Sequence, residues 1–172
     1  MSEKSRLIMH ARELGREYMK TYRLCAETTL LAVADTLNMP VSDDVFKSMI
    51  GLSSLSGGCG GFCGAIAAIG LRFGQGRKTF TNKDEASAYF TKSHPILRQA
   101  VKRVRDQFVN EYGGYLCCDV LTHLFGHSYD LFNPEDRKAF RQQNPQEECP
   151  KVTENAAGWT VKAILETEAS KG

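Results

Sequence analysis

Apolar residues recur three and four positions apart along almost the whole chain, which is the spacing of one buried face of an α-helix. No run alternates apolar and polar residues in the way that a half-buried strand does. The pattern therefore predicts an all-α fold, a single-domain helical bundle of about six to seven helices over residues 1–172. A chain of 172 residues also fits one domain whose core can form without disulfides or structural metal.

Capping residues, glycines and prolines predict where these helices begin and end. Gly15 weakens the first helix without breaking it. The predicted helical segments are residues 3–20, Tyr22 to Asn38, Ser42 to Ile50, Gly64 to Phe73, a long helix after Asn82 that breaks at Pro95, residues 117–125, a helix that Asn133 caps and Pro134 opens, and a last helix that Pro150 opens. Residues 142–148 are polar and are predicted to form a loop.

Composition and charge exclude several classes of function. The 22 basic and 20 acidic residues leave a net charge of +2, which gives no reason to expect a nucleic acid or an anionic membrane as partner. Early charges at Arg12 and Glu13 argue against a secretory signal, and the longest apolar stretch, Gly64 to Leu71, is shorter than the roughly 18 residues of a membrane span. We therefore expect a cytoplasmic protein, in which six cysteines favour ligands, redox groups or buried side chains over disulfides.

Two cysteines are predicted to lie at helix starts. A loop with five glycines between Gly51 and Cys63 leads into the apolar segment after it, and it contains the C-x3-C pair Cys59 and Cys63. The N–H groups at a helix start stabilise a thiolate, so Cys63 is the candidate nucleophile or metal ligand. Cys149 directly precedes Pro150 and has the same predicted setting.

The other candidate ligands have weaker settings. Cys25 is predicted to lie inside an apolar helix, where a cysteine is as often a core residue as a functional one. Cys117 and Cys118 are adjacent, so their side chains diverge and only one of them is expected to be functional. His123 and His127 have the spacing of a metal-binding pair, but Gly126 is predicted to end the helix between them. No C-x2-C-H occurs, which excludes covalent c-type haem.

The spaced cysteines resemble the C-GCAxxG-C-C family over roughly residues 5 to 168. The likeness is carried by Cys25 in a helix, by the glycine-rich loop running into Cys63, Gly64 and Ala65, by Cys118 followed by Leu121 and Gly126, and by Cys149 at the last helix. Members are small helical proteins described as redox-active, and the likeness extends to the non-haem part of split-Soret cytochromes. The resemblance implies that Cys25, Cys63, Cys118 and Cys149 form the functional set, with an iron–sulfur cluster or another metal as the centre they would hold. Cys117 is the alternative third cysteine.

Three functions remain open at this point. The first is a redox or electron-transfer protein in which Cys25, Cys63, Cys118 and Cys149 converge on one site, because cysteine thiolates are the usual ligands of iron–sulfur clusters. The second is a non-catalytic module that holds zinc through cysteines or through three cysteines and a histidine. The third is a thiol–disulfide oxidoreductase in which Cys63 attacks and Cys59 or Cys25 resolves the mixed disulfide. The redox partner is not identified, and a homodimer is an open alternative.

Overall fold

The chain folds into helices that meet at a shared core. The structure is a computed structural model that describes residues 1–53, 57–76 and 81–170. Helices make up 79% of the described residues. No strand forms among the described residues, and the backbone pairing of Gly58 with Leu116 is an isolated bridge. The prediction of an all-α fold is confirmed, with nine α-helices in the described ranges where about six to seven were predicted. They are α1 (Glu3–Tyr22), α2 (Cys25–Thr36), α3 (Asp43–Met49), α4 (Gly60–Phe73), α5 (Lys83–Lys92), α6 (His94–Tyr112), α7 (Cys117–Phe125), α8 (Pro134–Gln142) and α9 (Pro145–Ala169), with a short 3-10 helix at Ile50–Leu52.

Side-chain caps explain several of the helix starts. The Ser42 hydroxyl accepts a hydrogen bond from the N–H of Val45, as the sequence predicted. The amide oxygen of Asn82 accepts from the N–H groups of Asp84 and Glu85. The long helix predicted after Asn82 breaks at Ser93, which separates α5 from α6 and leaves the proline in the first turn of α6.

The core lies around α9, which packs against α1, α2, α4 and α6. The most extensive of these contacts joins α9 to α1. A Cβ atom added at Gly15 would lie 2.7 Å from the carbonyl oxygen of Thr153, so only glycine allows this contact. The Thr153 hydroxyl in turn donates a hydrogen bond of 3.0 Å to the carbonyl oxygen of Gly15. Among the described residues, no helix is both long and apolar enough to cross a membrane.

The boundary between the first two helices differs from the prediction. α1 continues to Tyr22 and ends at Arg23, which adopts a left-handed conformation with φ of 59°. α2 then begins at Cys25. The predicted helix from Tyr22 to Asn38, with Cys25 in its interior, was therefore wrong at its start, because a left-handed residue interrupts the helical hydrogen bonds there.

The helix after the glycine loop also begins earlier than predicted. α4 starts at Gly60, not at Gly64, and Cys59 is its N-cap residue. Glycine has a low helix propensity, but Gly60 packs so closely against Cys25 of α2 that a side chain would not fit there, and Gly61 faces α9. Tertiary contact thus extends the helix into a segment that its sequence marks as a loop. Cys63 lies in the first turn, and its N–H donates to the carbonyl of Cys59 over 2.9 Å.

The last helix begins at Pro145 rather than at Pro150, so residues 145–148 are helical and not a loop. Proline is favoured in the first turn of a helix, and Glu147 and Glu148 complement the positive end of the helix dipole. The prediction that Pro150 opens the helix was wrong, because Pro145 satisfies the same rule five residues earlier. Cys149 consequently lies inside α9, ahead of a buried proline.

Candidate functional site

Four cysteines line one cavity of about 400 Å³. The cavity lies where the end of α1 and the starts of α2, α4, α7 and α9 come together, with α8 at its side. Its cysteines are Cys25, Cys59, Cys117 and Cys149. Each lies in or directly before a different helix, so the fold gathers thiols that are far apart in sequence. Much of the remaining wall is apolar, as in pockets that take small molecules.

A short stretch of backbone pairing holds Cys59 beside Cys117. The N–H of Cys59 donates to the carbonyl oxygen of Tyr115 over 3.0 Å, and the N–H of Cys117 donates to the carbonyl oxygen of Gly57 over 2.9 Å. These two hydrogen bonds surround the isolated bridge between Gly58 and Leu116. The starts of α4 and α7 are therefore fixed relative to each other, and with them the two cysteines.

Cys25 reaches the start of α4 because residue 60 has no side chain. A Cβ atom at Gly60 would lie 2.1 Å from the sulfur of Cys25, 2.9 Å from its Cβ and 3.0 Å from the backbone nitrogen of Ala26. Real atoms do not approach so closely, so the sulfur of Cys25 occupies the space that a side chain would fill. This contact brings Cys25 next to the residue that follows Cys59.

A buried polar group supports Cys25 from the other side. The N–H of Ala26 donates to the hydroxyl oxygen of Ser53 over 2.9 Å. The Ser53 hydroxyl is also hydrogen-bonded to Oε2 of Glu27, a fully buried carboxyl group. The other oxygen of Glu27, Oε1, has no hydrogen-bond partner among the described residues. This arrangement fixes the Ser53 hydroxyl beside the Cys25 thiol.

The environment keeps the cavity thiols protonated. Burial raises the pKa of Cys25, a hydrogen bond with Ser53 lowers it, and the negative charge of Glu27 raises it. Burial raises the pKa of Cys59 well above its usual range, and the nearby sulfur of Cys25 has the next largest effect. Burial also raises the pKa of Cys117 to about 11 and that of Cys149 to about 12. Of these four thiols, Cys25 has a side-chain hydroxyl that favours its ionised form.

The six cysteines divide into two groups. Cys25 and Cys149, both members of the predicted set, line the cavity together with Cys59 and Cys117. Cys63 is half-buried on α4 and packs against the core, outside the cavity wall, although its charge is close enough to raise the pKa of Cys25. Cys118 is exposed on α7, with its thiol 3.8 Å from Oδ1 of Asp119. The structure therefore brings two of the four predicted residues to the cavity and not the other two.

The predicted histidine pair does not share a helix. α7 ends before Gly126, which has a φ of 73°, so His123 lies on the helix and His127 beyond it. His123 contacts the ring of Tyr112 edge-on, with ring centres 5.4 Å apart, and His127 contacts Tyr129. Within residues 1–53, 57–76 and 81–170, no three histidine, cysteine, aspartate or glutamate side chains are placed to hold one metal ion.

Sequence reasoning missed several residues of the site. Gly60, Ser53 and Glu27 contact or support Cys25, and the cavity wall also includes Lys20, Arg23 and Arg141. The glycine-rich loop did signal a close backbone approach somewhere within it. No pattern in the sequence indicated that basic residues of α1 and α8 would lie beside the cysteines.

These features define an all-helical protein with a thiol-lined cavity. The sequence model of the family described as "Putative redox-active protein (C_GCAxxG_C_C)" matches residues 23–163, and the chain belongs to this family. Comparisons with curated proteins and with solved structures gave no match. The family assignment agrees with the resemblance found in the sequence, and it supports redox activity of the cysteines.

Proposed function

We propose that the protein is a thiol–disulfide redox protein, in which Cys25 and Cys59 exchange two electrons with a disulfide that enters the cavity. The observation that carries the proposal is the gathering of four cysteines from separate helices around one cavity of small-molecule size. Membership of a family described as redox-active supports it. The proposal needs no group other than the cysteines and their substrate.

Cys25 is proposed as the attacking residue. It is half-buried, whereas Cys59 is only 7% exposed, so an incoming disulfide reaches Cys25 first. Burial raises the pKa of Cys25, but two features oppose this rise. The backbone N–H groups at the first residue of α2 favour a thiolate, and a hydrogen bond with Ser53 lowers the pKa. Thiolates, not thiols, attack disulfides, so these two features favour Cys25 over its neighbours.

The substrate disulfide is the oxidant in the proposed reaction, and it accepts both electrons that the protein loses. The Cys25 thiolate attacks one sulfur of the disulfide R–S–S–R′, forms the mixed disulfide Cys25–S–S–R and releases R′–S⁻, which takes up the proton that Cys25 lost. Cys59 then loses its proton and attacks the sulfur of Cys25, which releases R–S⁻ to be protonated in turn. The protein is oxidised by two electrons to a Cys25–Cys59 disulfide, and the substrate is reduced to two thiols.

Cys59 is proposed as the resolving residue because it lies beside Cys25 and away from the solvent. The sulfur of Cys25 occupies the space where a side chain of residue 60 would lie, directly after Cys59. The charge of Cys25 is also the largest side-chain effect on the Cys59 pKa. The N–H groups of Phe62 and Gly61 lower that pKa, so the helix start favours the Cys59 thiolate when it forms. A buried resolving thiol reacts with an adjacent mixed disulfide and does not compete for free substrate.

Peptide mapping of a reacted protein tests the proposal. Reduced protein is exposed to bis(2-hydroxyethyl) disulfide, quenched with acid and digested. We expect a Cys25–Cys59 disulfide in the native chain, a stable mixed disulfide on Cys25 in the Cys59→Ser variant, and neither product in Cys25→Ser. Circular dichroism shows that each variant is folded. A first mixed disulfide on Cys63, or no accumulation on Cys25 in Cys59→Ser, would contradict the assignment.

The iron–sulfur or other metal centre implied by the sequence resemblance stays a prediction, as do the alternative of a zinc-binding module and the role of Cys63 as nucleophile. Metal analysis and an absorption spectrum of protein purified without air test the first. A brown protein with stoichiometric iron would favour the cluster over the dithiol. Timed alkylation with iodoacetamide tests the second, because a privileged thiolate at Cys63 would be labelled before Cys25.

A further inference from the structure

The charged groups in the cavity wall all have the same sign. Among the described residues, Lys20, Arg23 and Arg141 line the cavity, and no aspartate or glutamate does. All three cations are exposed, and none of them forms an ion pair with any residue that the structure describes. Elsewhere on α1, Arg12 and Arg16 are both paired with Glu154. The cavity therefore combines thiols with three cations that have no ion-pair partner among the described residues. The carboxyl groups of Glu27 and Glu148 lie close enough to raise the pKa values of Cys25 and Cys149, but neither residue lines the cavity, and Glu148 is paired with Lys151.

The three cations approach the cavity from two directions. Lys20 lies in the last turn of α1 and Arg23 caps its end, while Arg141 lies in the last turn of α8. Much of the rest of the wall is apolar and includes Val120, Leu121 and Leu131. A ligand with charged ends and a short apolar middle would match both features.

We propose that this cavity selects a small anionic disulfide, with Lys20, Arg23 and Arg141 binding its acidic groups while its sulfur atoms face Cys25. The inference rests on the proposed thiol–disulfide function and gives its substrate class. A volume of about 400 Å³ suits a molecule of modest size rather than a folded protein chain. Unpaired cations in a partly apolar cleft raise the local concentration of anions and their rate of association.

The same cations would also stabilise the ends of α1 and α8, because positive charge is favourable at a helix C-terminus. That role alone predicts an effect on stability and no preference among substrates. The test therefore needs a readout that helix stability does not change. Selectivity between ligands of equal size and opposite charge is such a readout.

Three disulfides with two-carbon arms provide the comparison. They are 3,3′-dithiodipropionate, which is anionic, bis(2-hydroxyethyl) disulfide, which is neutral, and cystamine, which is cationic. The rate of oxidation of the reduced protein by each is divided by the rate of the same disulfide with 2-mercaptoethanol, which removes intrinsic reactivity. We expect the anionic disulfide to be favoured over the cationic one by tenfold or more at low salt, in the range of electrostatic steering. The preference should shrink at high ionic strength.

Charge variants connect the preference to the three residues. Lys20→Gln, Arg23→Gln and Arg141→Gln should each lower the preference, and the triple variant should lose most of it. Arg137→Gln is the matched control, because Arg137 is an exposed residue of α8 that does not line the cavity. An equal fall in Arg137→Gln would show a general effect of net charge and would overturn the inference.

A ligand that cannot react separates this inference from the proposed function. Suberate has the carboxylates of dithiodipropionate, with two methylene groups in place of the disulfide. Its binding to the reduced protein is measured by calorimetry, with 1,6-diaminohexane as the cationic comparison. Binding of suberate without any disulfide exchange would support the anion site and refute the proposed function. Exchange at equal normalised rates with all three disulfides, and no binding of suberate, would refute the anion site and leave the function standing.

Discussion

Replacing Gly60 by alanine tests the contact that brings Cys25 into the cavity. The new Cβ would lie 2.1 Å from the sulfur of Cys25 and 2.9 Å from its Cβ. The sulfur can move aside by rotation, but the Cβ of Cys25 and the nitrogen of Ala26, at 3.0 Å, belong to the rigid start of α2. Relief therefore requires α2 and α4 to separate by several tenths of an ångström.

Overpacking of this kind costs about 1–3 kcal/mol. The gain in helix propensity from glycine to alanine is about 1 kcal/mol in a helix interior and less at the first position. We therefore expect the free energy of unfolding of Gly60→Ala to fall by about 1–2 kcal/mol. For a domain of this size that corresponds to a fall in Tm of roughly 2–8 °C. Alkylation of Cys25 should become faster, because its sulfur is turned away from the contact.

Gly70→Ala is the matched control in the same helix. A Cβ at Gly70 meets nothing within 4 Å, so the substitution should raise the free energy of unfolding by about 0.5–1 kcal/mol through helix propensity alone. Urea unfolding of both variants and timed alkylation of Cys25 provide the two measurements. If Gly60→Ala is as stable as Gly70→Ala and its Cys25 reacts at the native rate, the proposed contact is refuted.

Three further predictions follow from the structure. A Cys25–Cys59 disulfide closes a loop of about 34 residues, so the oxidised protein should exceed the reduced protein in free energy of unfolding by about 3–4 kcal/mol; equal urea midpoints for the two forms would contradict the pairing. Burial raises the pKa of Cys117 to about 11 and that of Cys149 to about 12, so the folded state holds these protons more tightly than the unfolded state. Stability should be unaffected by this effect below about pH 9 and should fall as pH rises from there toward 12, with a shallower fall in Cys149→Ala. Phe108 is fully buried, and Phe108→Ala should lower the free energy of unfolding by about 3–5 kcal/mol in denaturant titrations.

The helical fold was predictable because its signals are local. Apolar spacing marks most of the helices, and the caps at Ser42 and Asn82 mark two of the starts. The errors arose where tertiary contact overrides local preference. Gly60 begins a helix because it packs on Cys25. The chain turns at Arg23 through a left-handed conformation, which an arginine in the sequence does not predict.

The candidate site was predictable only in part, for a similar reason. Spaced cysteines indicated that thiols would converge, and Cys25 and Cys149 do line the cavity. The pairing of Gly58 with Leu116, which brings in Cys117, is a contact between distant residues that no periodicity encodes. Cys117 and Cys118 are adjacent, so which of them faces the cavity depends on the residue at which α7 starts. Helix boundaries are the feature that a sequence predicts least well.

The contact between Gly15 and Thr153 sets a distance as well as a packing interface. α1 is one continuous helix from this contact to Lys20, so the backbone of Lys20 lies about 7.5 Å along the axis from the point where α1 and α9 touch. Cys149 lies one helical turn before Thr153 on α9. The contact between α1 and α9 therefore fixes the position of Cys149 relative to Lys20. If α1 shifted by one turn along α9, the positions of Lys20 and Cys149 would change relative to each other by about 5.4 Å. A residue larger than glycine at position 15 would favour such a shift. Loops elsewhere in the chain can change length without altering this spacing.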